Sequence, residues 1–191
     1  MKKIFLVAFC SMNLIFIEAQ KHEFLNYPKF NDADLTKQKS ALDENAPAEI
    51  LFKSLHFSID NNTGDLVKKA FYRVKIYDKD KAEDWLNLEI PLYQSGSNQE
   101  TISKVKAFTY NLENGTSVAT KVDKSSKFKS KESKYVSITK FAFPNVKNGS
   151  IIEYQYEVTS PFLYVVPEIT IETDTPSLYT EYVLDSPSNI S

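Results

Sequence analysis

The sequence predicts an all-β fold: a mostly antiparallel β-sandwich of several short strands, preceded by a short polar or helical N-terminal leader. Runs of residues alternate between apolar and polar side chains, which is the two-residue period of a strand. Clusters of Asn, Asp, Gly and Pro separate these runs, as turns do between antiparallel strands. The chain has 191 residues, 42% of them hydrophobic, which suits one domain with a two-layer core.

The first residues have the pattern of a secretory signal peptide. Lys2 and Lys3 precede an apolar run over residues 4–17, and the small residue Ala19 stands before Gln20. This order predicts a signal peptide over residues 1–19, cleaved between Ala19 and Gln20. The apolar run is shorter than the ~20 residues of a membrane-spanning helix. We therefore expect an exported protein that is periplasmic, outer-membrane-associated or secreted. The alternatives are a membrane anchor, a buried helix, or a lipoprotein whose first mature residue is Cys10.

A polar leader over residues 20–47 follows the predicted cleavage site. Asp32 or Asp34 is a candidate cap for a short helix that runs through about Leu42. A loosely docked leader without a helix is the alternative. The β-sandwich domain is then expected over residues 48–191.

Three strands are predicted in the first half of this domain. Ile50–Asp60 and Leu66–Tyr77 alternate regularly and flank the turn cluster 61–65, which predicts a hairpin. Trp85–Leu92 is the third strand. Pro91 near its end indicates a strand exit or a sheet edge, because proline cannot donate to a ladder.

A second hairpin is predicted around an Asn-Gly pair. Lys104–Leu112 and Ser117–Val122 flank Asn114 and Gly115. Asn-Gly between alternating runs favours a type I′ turn, in which both central residues have positive φ. The lysine- and serine-rich residues 123–134 that follow are predicted to form a loop.

The residues from Lys140 to Ser160 are predicted to form a third hairpin. A strand over Tyr135–Phe143 leads into turn residues that end at Gly149, and a second alternating strand follows. In that second strand Ile152, Tyr154, Tyr156 and Val158 would be buried, and Glu153, Gln155 and Glu157 would form a wet face. Two further short strands are predicted over Ile169–Thr173 and Leu178–Leu184.

Several of these stretches together resemble a known family. The stretch FAFPNVKNGSIIEYQYEVTSPFL, together with Ala48–Phe52, Arg73–Ile76, Leu88–Leu92 and Thr101–Gly115, resembles a domain of unknown function in exported bacterial proteins. That domain usually lies directly N-terminal to a transglutaminase-like domain. After Pro167 the family usually carries aromatic residues, and here the chain reads Glu-Ile-Thr-Ile.

The resemblance implies a non-catalytic accessory or interaction domain. Its partner would be a transglutaminase-like domain or another envelope protein. Residues 185–191 would then lead towards the next domain. The chain is either a stand-alone domain or the N-terminal part of a larger transglutaminase-like enzyme or protease.

The residue types give little support for catalysis in this chain. Cys10, the one cysteine, belongs to the predicted signal peptide, so the mature chain would lack a thiol nucleophile. His22 and His56 do not form a zinc motif. The carboxylates between Asp78 and Asp84 lack the spacing of an EF-hand loop. We expect no catalytic residue, no metal and no cofactor, and the net charge of −2 argues against nucleic acid as a partner.

Two weak candidates for a binding surface remain. Trp85 and Tyr110 are candidate aromatic platforms for sugars or peptides. Lys127, Lys129 and Lys131 are candidate contacts for an anionic polymer. Together they suggest a cell-envelope glycan- or peptide-binding module as the alternative function. The competing interpretation is that the rings pack in the core and the lysines keep a loop soluble.

Overall fold

The structure is a computed structural model that describes residues 27–29, 31–163 and 173–185. The predicted cleavage site at Ala19 and Gln20 lies outside the described residues. So does the strand predicted at Ile169–Thr173, apart from its last residue.

The predicted all-β, mostly antiparallel sandwich is confirmed. A six-stranded sheet has the order β10-β1-β2-β9-β5-β6, and a four-stranded sheet has the order β4-β3-β8-β7. Among the described pairings of these strands, that of β10 with β1 is parallel and the rest are antiparallel. The strands are β1 (Ala48–Ile59), β2 (Leu66–Ile76), β3 (Asn87–Ser95), β4 (Asn98–Gln99), β5 (Thr101–Glu113), β6 (Thr116–Lys121), β7 (Phe128–Lys131), β8 (Val136–Ala142), β9 (Ile151–Ser160) and β10 (Thr180–Leu184).

Two of the predicted hairpins are confirmed. β1 pairs with β2 along its whole length, with a register shift between Ile50 and Phe52. β5 pairs with β6 across the Asn-Gly turn. Asn114 has φ 50° and Gly115 has φ 78°, so both central residues adopt the positive φ that a type I′ turn requires.

The hairpin predicted between Lys140 and Ser160 is wrong. β8 pairs with β3 and β7, whereas β9 pairs with β2 and β5. The connection between β8 and β9 therefore crosses from the small sheet to the large one. Phe143 and Val146 are buried in the core along this crossing. The alternation marked both strands correctly, but it carries no information on which strand pairs with which.

The main core lies between the inner faces of the two sheets. The large sheet contributes Val74, Ile76 and Ile152, and all three are fully buried. The small sheet contributes its own buried row, which comprises Leu88, Ile90, Leu92 and Phe141. Apolar burial of this kind is the largest favourable contribution to folding.

The leader packs on the outer face of the large sheet. Its helix α1 spans Ala33–Thr36 and does not extend to Leu42, which is 58% exposed. Leu35 packs with Leu51 and Ile151 in a small core. The ring of Tyr27 stacks on Phe71 with 4.1 Å between centroids. The described part of the leader is therefore a docked third layer, in which α1 is the one helix and no strand precedes β1.

The wet face predicted for β9 is also wrong at Glu153, which is fully buried. Its Oε2 accepts from Arg73 Nε at 2.5 Å, and Arg73 Nη2 donates to Pro28 O at 2.6 Å. Lys75 donates to Leu35 O at 2.8 Å, and burial lowers the pKa of Lys75 to about 8. Glu153 was expected in water, but the leader covers this face of the sheet.

The lysine-rich loop predicted at residues 123–134 contains the short edge strand β7. This strand pairs with β8 through residues from Phe128 to Lys131. Lys129 and Lys131 are exposed on it. Charged side chains on an edge strand discourage pairing with other chains, so this position agrees with the solubilising role.

Candidate binding cleft

A cleft lies between the two sheets. Residues of β1, β2 and β9 line it from the large sheet, and Leu88 and Glu89 of β3 line it from the small sheet. A cavity of about 290 Å³ lies between them. An adjoining cavity of about 480 Å³ shares Trp85, Leu88, Glu89 and Tyr154 with it.

Two lysines line the cleft from positions that face the core. Lys53 is opposite Tyr72 in the ladder, and Lys68 is opposite Phe57, so both side chains point to the inner face. Lys53 is only 5% exposed, and its Nζ lies 5.3 Å from the ring centroid of Tyr182. Lys68 Nζ lies 5.9 Å from the centroid of Tyr156. Lysine is seldom this buried, and both ammonium groups face tyrosine rings.

The pKa of Lys68 reflects these surroundings. Burial lowers it, the nearby charge of Lys53 lowers it further, and Glu100 opposes the shift. Burial is the largest of these effects, and the carboxylate of Glu100 partly offsets it.

Tyrosine rings form the wall between the lysines and the core. Tyr72 stacks on Tyr154 at 5.0 Å, and Tyr154 stacks on Tyr156 at 6.4 Å. Burial raises the pKa of Tyr156 to about 12 and raises the pKa of Tyr72 and Tyr154 as well. The wall is therefore uncharged at neutral pH, and it offers flat rings for stacking.

Trp85 lies where the two cavities meet. It is half-buried, and its ring centroid is 6.4 Å from that of Tyr72. Its Nε1 donates to Thr175 Oγ1 at 3.1 Å, which fixes the plane of the indole.

The second cavity is acidic. Glu83, Asp84 and Glu89 line it, and Glu89 forms an ion pair with Lys140 at 2.8 Å. Charged groups of both signs therefore line the cleft together with aromatic rings.

The structure does not bring the sequence-predicted binding residues together. Trp85 lies in the cleft, whereas Tyr110 lies on the opposite face of the large sheet against the Leu35 cluster. Lys127, Lys129 and Lys131 are exposed at or beside β7, which β8 separates from β3.

The sequence analysis missed the cleft lysines, although it contained a signal for them. Lys53 occupies the same face of β1 as Leu55 and Phe57, and Lys68 the same face of β2 as Tyr72. These positions of an alternating strand normally carry apolar residues. A lysine there breaks the pattern, and such a break is a signal for a functional residue.

His56 has a partner that the sequence did not indicate. Its Nε2 is 2.5 Å from Asp185 Oδ2, and both groups lie at the surface where β10 ends. Over residues 27–29, 31–163 and 173–185, no group of three or more His, Cys, Asp or Glu side chains is arranged to hold a metal ion. Within the same ranges, no helix has the length and apolar character needed to cross a membrane.

Comparison with solved structures finds low similarity. No family model matches the chain, and no curated protein matches it. A crystal structure of a proposed protease from Parabacteroides distasonis is similar at 13% identity and a TM-score of 0.48, over 60% of this chain and 23% of that protein. Yeast LTA4 hydrolase in complex with bestatin is similar at 9% identity and a TM-score of 0.32, over 68% of this chain and 19% of the hydrolase. The chain thus spans about a fifth of the length of each.

Proposed function

We propose that this chain is an exported, non-catalytic β-sandwich domain whose role is to bind a partner protein. The observation that carries this proposal is the apolar edge of the large sheet at β10. Leu178, Tyr179, Val183 and Leu184 lie on or beside this strand and are between 37% and 72% exposed.

The β10 edge, with the residues beside it, carries more exposed large apolar side chains than the other sheet edges that the structure describes. β10 is the last strand of its sheet and pairs with β1 on one side. The edge strand β6 carries exposed Val118, and the edge strand β7 carries exposed Phe128 beside Lys129 and Lys131. An exposed apolar edge is a hazard for a protein that stands alone, and it suits a surface that another domain covers.

The partner that the sequence resemblance favours is a transglutaminase-like domain, on the same polypeptide or on another envelope protein. In this proposal the chain supplies the docking surface and leaves the chemistry to its partner. Periplasmic, outer-membrane-associated and secreted locations all agree with the predicted signal peptide.

The test compares charged variants of two apolar surfaces. The first double variant combines Val183→Lys and Leu184→Lys, which places two charges on the apolar β10 edge. It should abolish co-purification of a transglutaminase-like protein from the native cells. The matched control is Leu112→Lys with Val118→Lys, which places the same charges on the exposed β5–β6 hairpin and should leave co-purification intact.

Intact mass spectrometry of the protein from each cell fraction completes this test. A protein that begins at Gln20 in an exported fraction agrees with the proposal. A protein that stays in the cytoplasm, or a hydrolase or transferase activity of the purified chain, would overturn it.

A glycan- or peptide-binding module is the second candidate, because the cleft offers aromatic rings beside charged groups. Replacing Trp85 with Ala should then weaken binding of envelope polymers. Replacing Tyr110 should not, since Tyr110 lies on the other face of the sheet.

A further inference from the structure

The outer face of the small sheet carries apolar side chains that solvent can reach. The pairing of β3 with β8 places Leu88, Ile90 and Phe141 in the core, so the residues between them along each strand point outward. The outward row continues onto β7, because Phe128 is opposite Lys140 in the ladder and is 63% exposed. The exposed or half-buried apolar side chains of this face are Pro91, Tyr93, Phe128, Val136 and Ile138.

Tyr135 extends this face beyond the start of β8. It is 44% exposed, and its ring stacks on that of Tyr93 with 6.2 Å between centroids. Phe162 meets the same Tyr93 ring edge-on at 4.9 Å. Lys134 Nζ lies 4.7 Å from the ring centroid of Tyr135. Tyrosine has a polar tip and lysine has a long apolar stem, so both side chains suit a boundary between lipid and water.

Lysines border this face along β7 and in the segments next to it. Residues 121–135 contain six lysines and two acidic residues, although the whole chain has a net charge of −2. Lys127, Lys129 and Lys131 are exposed, and within the part of the chain that the structure describes none of them forms an ion pair. Protection of an edge strand explains these lysines. It does not explain Phe128, which stands exposed between two of them.

We propose that the outer face of the small sheet docks on an anionic lipid membrane, with Phe128 and Tyr135 at the acyl boundary and the lysines of residues 127–134 among the headgroups. The rings contribute binding free energy by leaving water, and the lysines contribute attraction to the negative headgroups. The β10 edge belongs to the other sheet, so this inference goes beyond the proposed function and does not rest on it.

The combination of charge and exposed rings favours a membrane over other occupants. A second copy of the chain would bring the same lysines against one another in a two-fold interface, and like charges placed together are unfavourable. A soluble polyanion would neutralise the lysines but leave the ring of Phe128 in water. An anionic membrane offers negative charge and an apolar layer side by side.

Sedimentation with lipid vesicles tests this proposal. The chain from Gln20 onward is mixed with vesicles of pure phosphatidylcholine, or of an equimolar mixture of phosphatidylcholine and phosphatidylglycerol. Each mixture is measured at low and at physiological salt. The fraction of protein that sediments, as a function of lipid concentration, gives the partition coefficient.

Two charge-reversal variants separate this face from the charge of the whole protein. Lys129→Glu with Lys131→Glu reverses two exposed charges on β7. Lys37→Glu with Lys39→Glu is the matched control, because it reverses two exposed charges at the same spacing. The control lysines belong to the leader, which packs on the outer face of the large sheet, on the far side of the sandwich.

Two serine variants test the apolar contact while every charge is kept. Phe128→Ser removes an exposed ring from β7. Leu112→Ser is its control, because Leu112 is 43% exposed on the β5–β6 hairpin of the large sheet. Phe128→Trp keeps an aromatic ring at the position. Substitutions at exposed positions such as these change the stability of the fold little.

The expected result is sedimentation with the anionic vesicles that weakens at physiological salt, and little sedimentation with phosphatidylcholine alone. Lys129→Glu with Lys131→Glu should lower the partition coefficient about thirtyfold or more, since each lysine near the surface contributes about fivefold. Phe128→Ser should lower it about tenfold. Phe128→Trp and both controls should stay within about threefold of wild type at physiological salt, where charges on the far side are screened.

Three outcomes would overturn the proposal. One is the absence of sedimentation with anionic vesicles at low salt. Another is an equal loss in the two charge-reversal variants, which would mean that net charge decides binding and this face does not. The third is undiminished binding by Phe128→Ser, which would identify a polyanion site without an apolar contact. The vesicles contain no protein, so these results are independent of whether the β10 variants lose their partner.

Discussion

Replacing Glu153 with Gln should destabilise the fold severely, because it leaves the guanidinium of Arg73 buried without its counter-charge. Both side chains are almost completely inaccessible to solvent, at 5% and 0%. Breaking a buried pair from one side costs about 3–5 kcal/mol. For a domain of this size each kcal/mol lowers Tm by roughly 2–4 °C, so a fall of roughly 6–20 °C is expected.

The same strand contains a matched control. Glu157 accepts from Lys104 Nζ at 2.8 Å, but Lys104 is 66% exposed. Glu157→Gln makes the same chemical change four residues away and should cost no more than about 1 kcal/mol, because water screens the pair. Urea unfolding followed by circular dichroism gives both values from the midpoint and the slope.

A double variant separates the cost of an unpaired charge from the cost of lost packing. Arg73→Met combined with Glu153→Leu removes both charges and keeps much of the volume. It should recover most of the stability that Glu153→Gln loses, because apolar replacements of buried pairs are often neutral. Equal costs for Glu153→Gln and Glu157→Gln, or no recovery in the double variant, would refute the reasoning.

Three further predictions concern the leader core, a turn and a buried tyrosine. Leu35→Ala should cost about 2–3 kcal/mol because Leu35 is 3% exposed, whereas Leu42→Ala should cost less than about 0.5 kcal/mol; urea midpoints compare the two. Gly115→Ala should cost about 1–2 kcal/mol in the same assay, because alanine is strained at φ 78°, although a Cβ there would meet open space. Burial raises the pKa of Tyr156 from its usual 10 to about 12 in the folded protein. The free energy of unfolding that Tyr156 contributes should therefore be complete below about pH 10 and be lost as the pH rises towards 12, because the unfolded chain loses this proton first. Absorbance at 295 nm should show late-ionising tyrosines that titrate normally in 6 M guanidinium.

The strands could be predicted from the sequence because the alternation of apolar and polar residues within each strand shows which side chains face the core and which face water. Alternation located β1, β2, β5, β8 and β9, and the Asn-Gly pair fixed the turn between β5 and β6. Sheet membership could not be predicted this way. A crossing between two sheets and a tight hairpin both use Asn, Pro and Gly, so the segment from Pro144 to Gly149 did not distinguish them.

The candidate site depended on information that is not local. Lys53 and Lys68 belong to the predicted hairpin of β1 and β2, but the register that places both side chains on the inner face was not predicted. The burial of Glu153 depended on the leader, whose polar composition gave no sign of docking. Tertiary contacts override the local pattern at these positions.

The leader and the cleft lie on opposite faces of the same two strands, which makes a separate prediction possible. The leader contacts the outer face through Phe71, Arg73 and Lys75, whereas Lys68 and Tyr72 point into the cleft. Loosening the leader with Leu35→Ala should therefore lower the free energy of unfolding and leave the fluorescence emission maximum of Trp85 in the folded protein unchanged, since distant sites without shared partners behave additively. Emission spectra recorded in urea well below the unfolding midpoint measure this, because Trp85 is the single tryptophan of the sequence and lies beside Tyr72. A shifted emission maximum in the folded variant would mean that the two faces of β2 are coupled through its backbone, and the leader would then help to support the cleft.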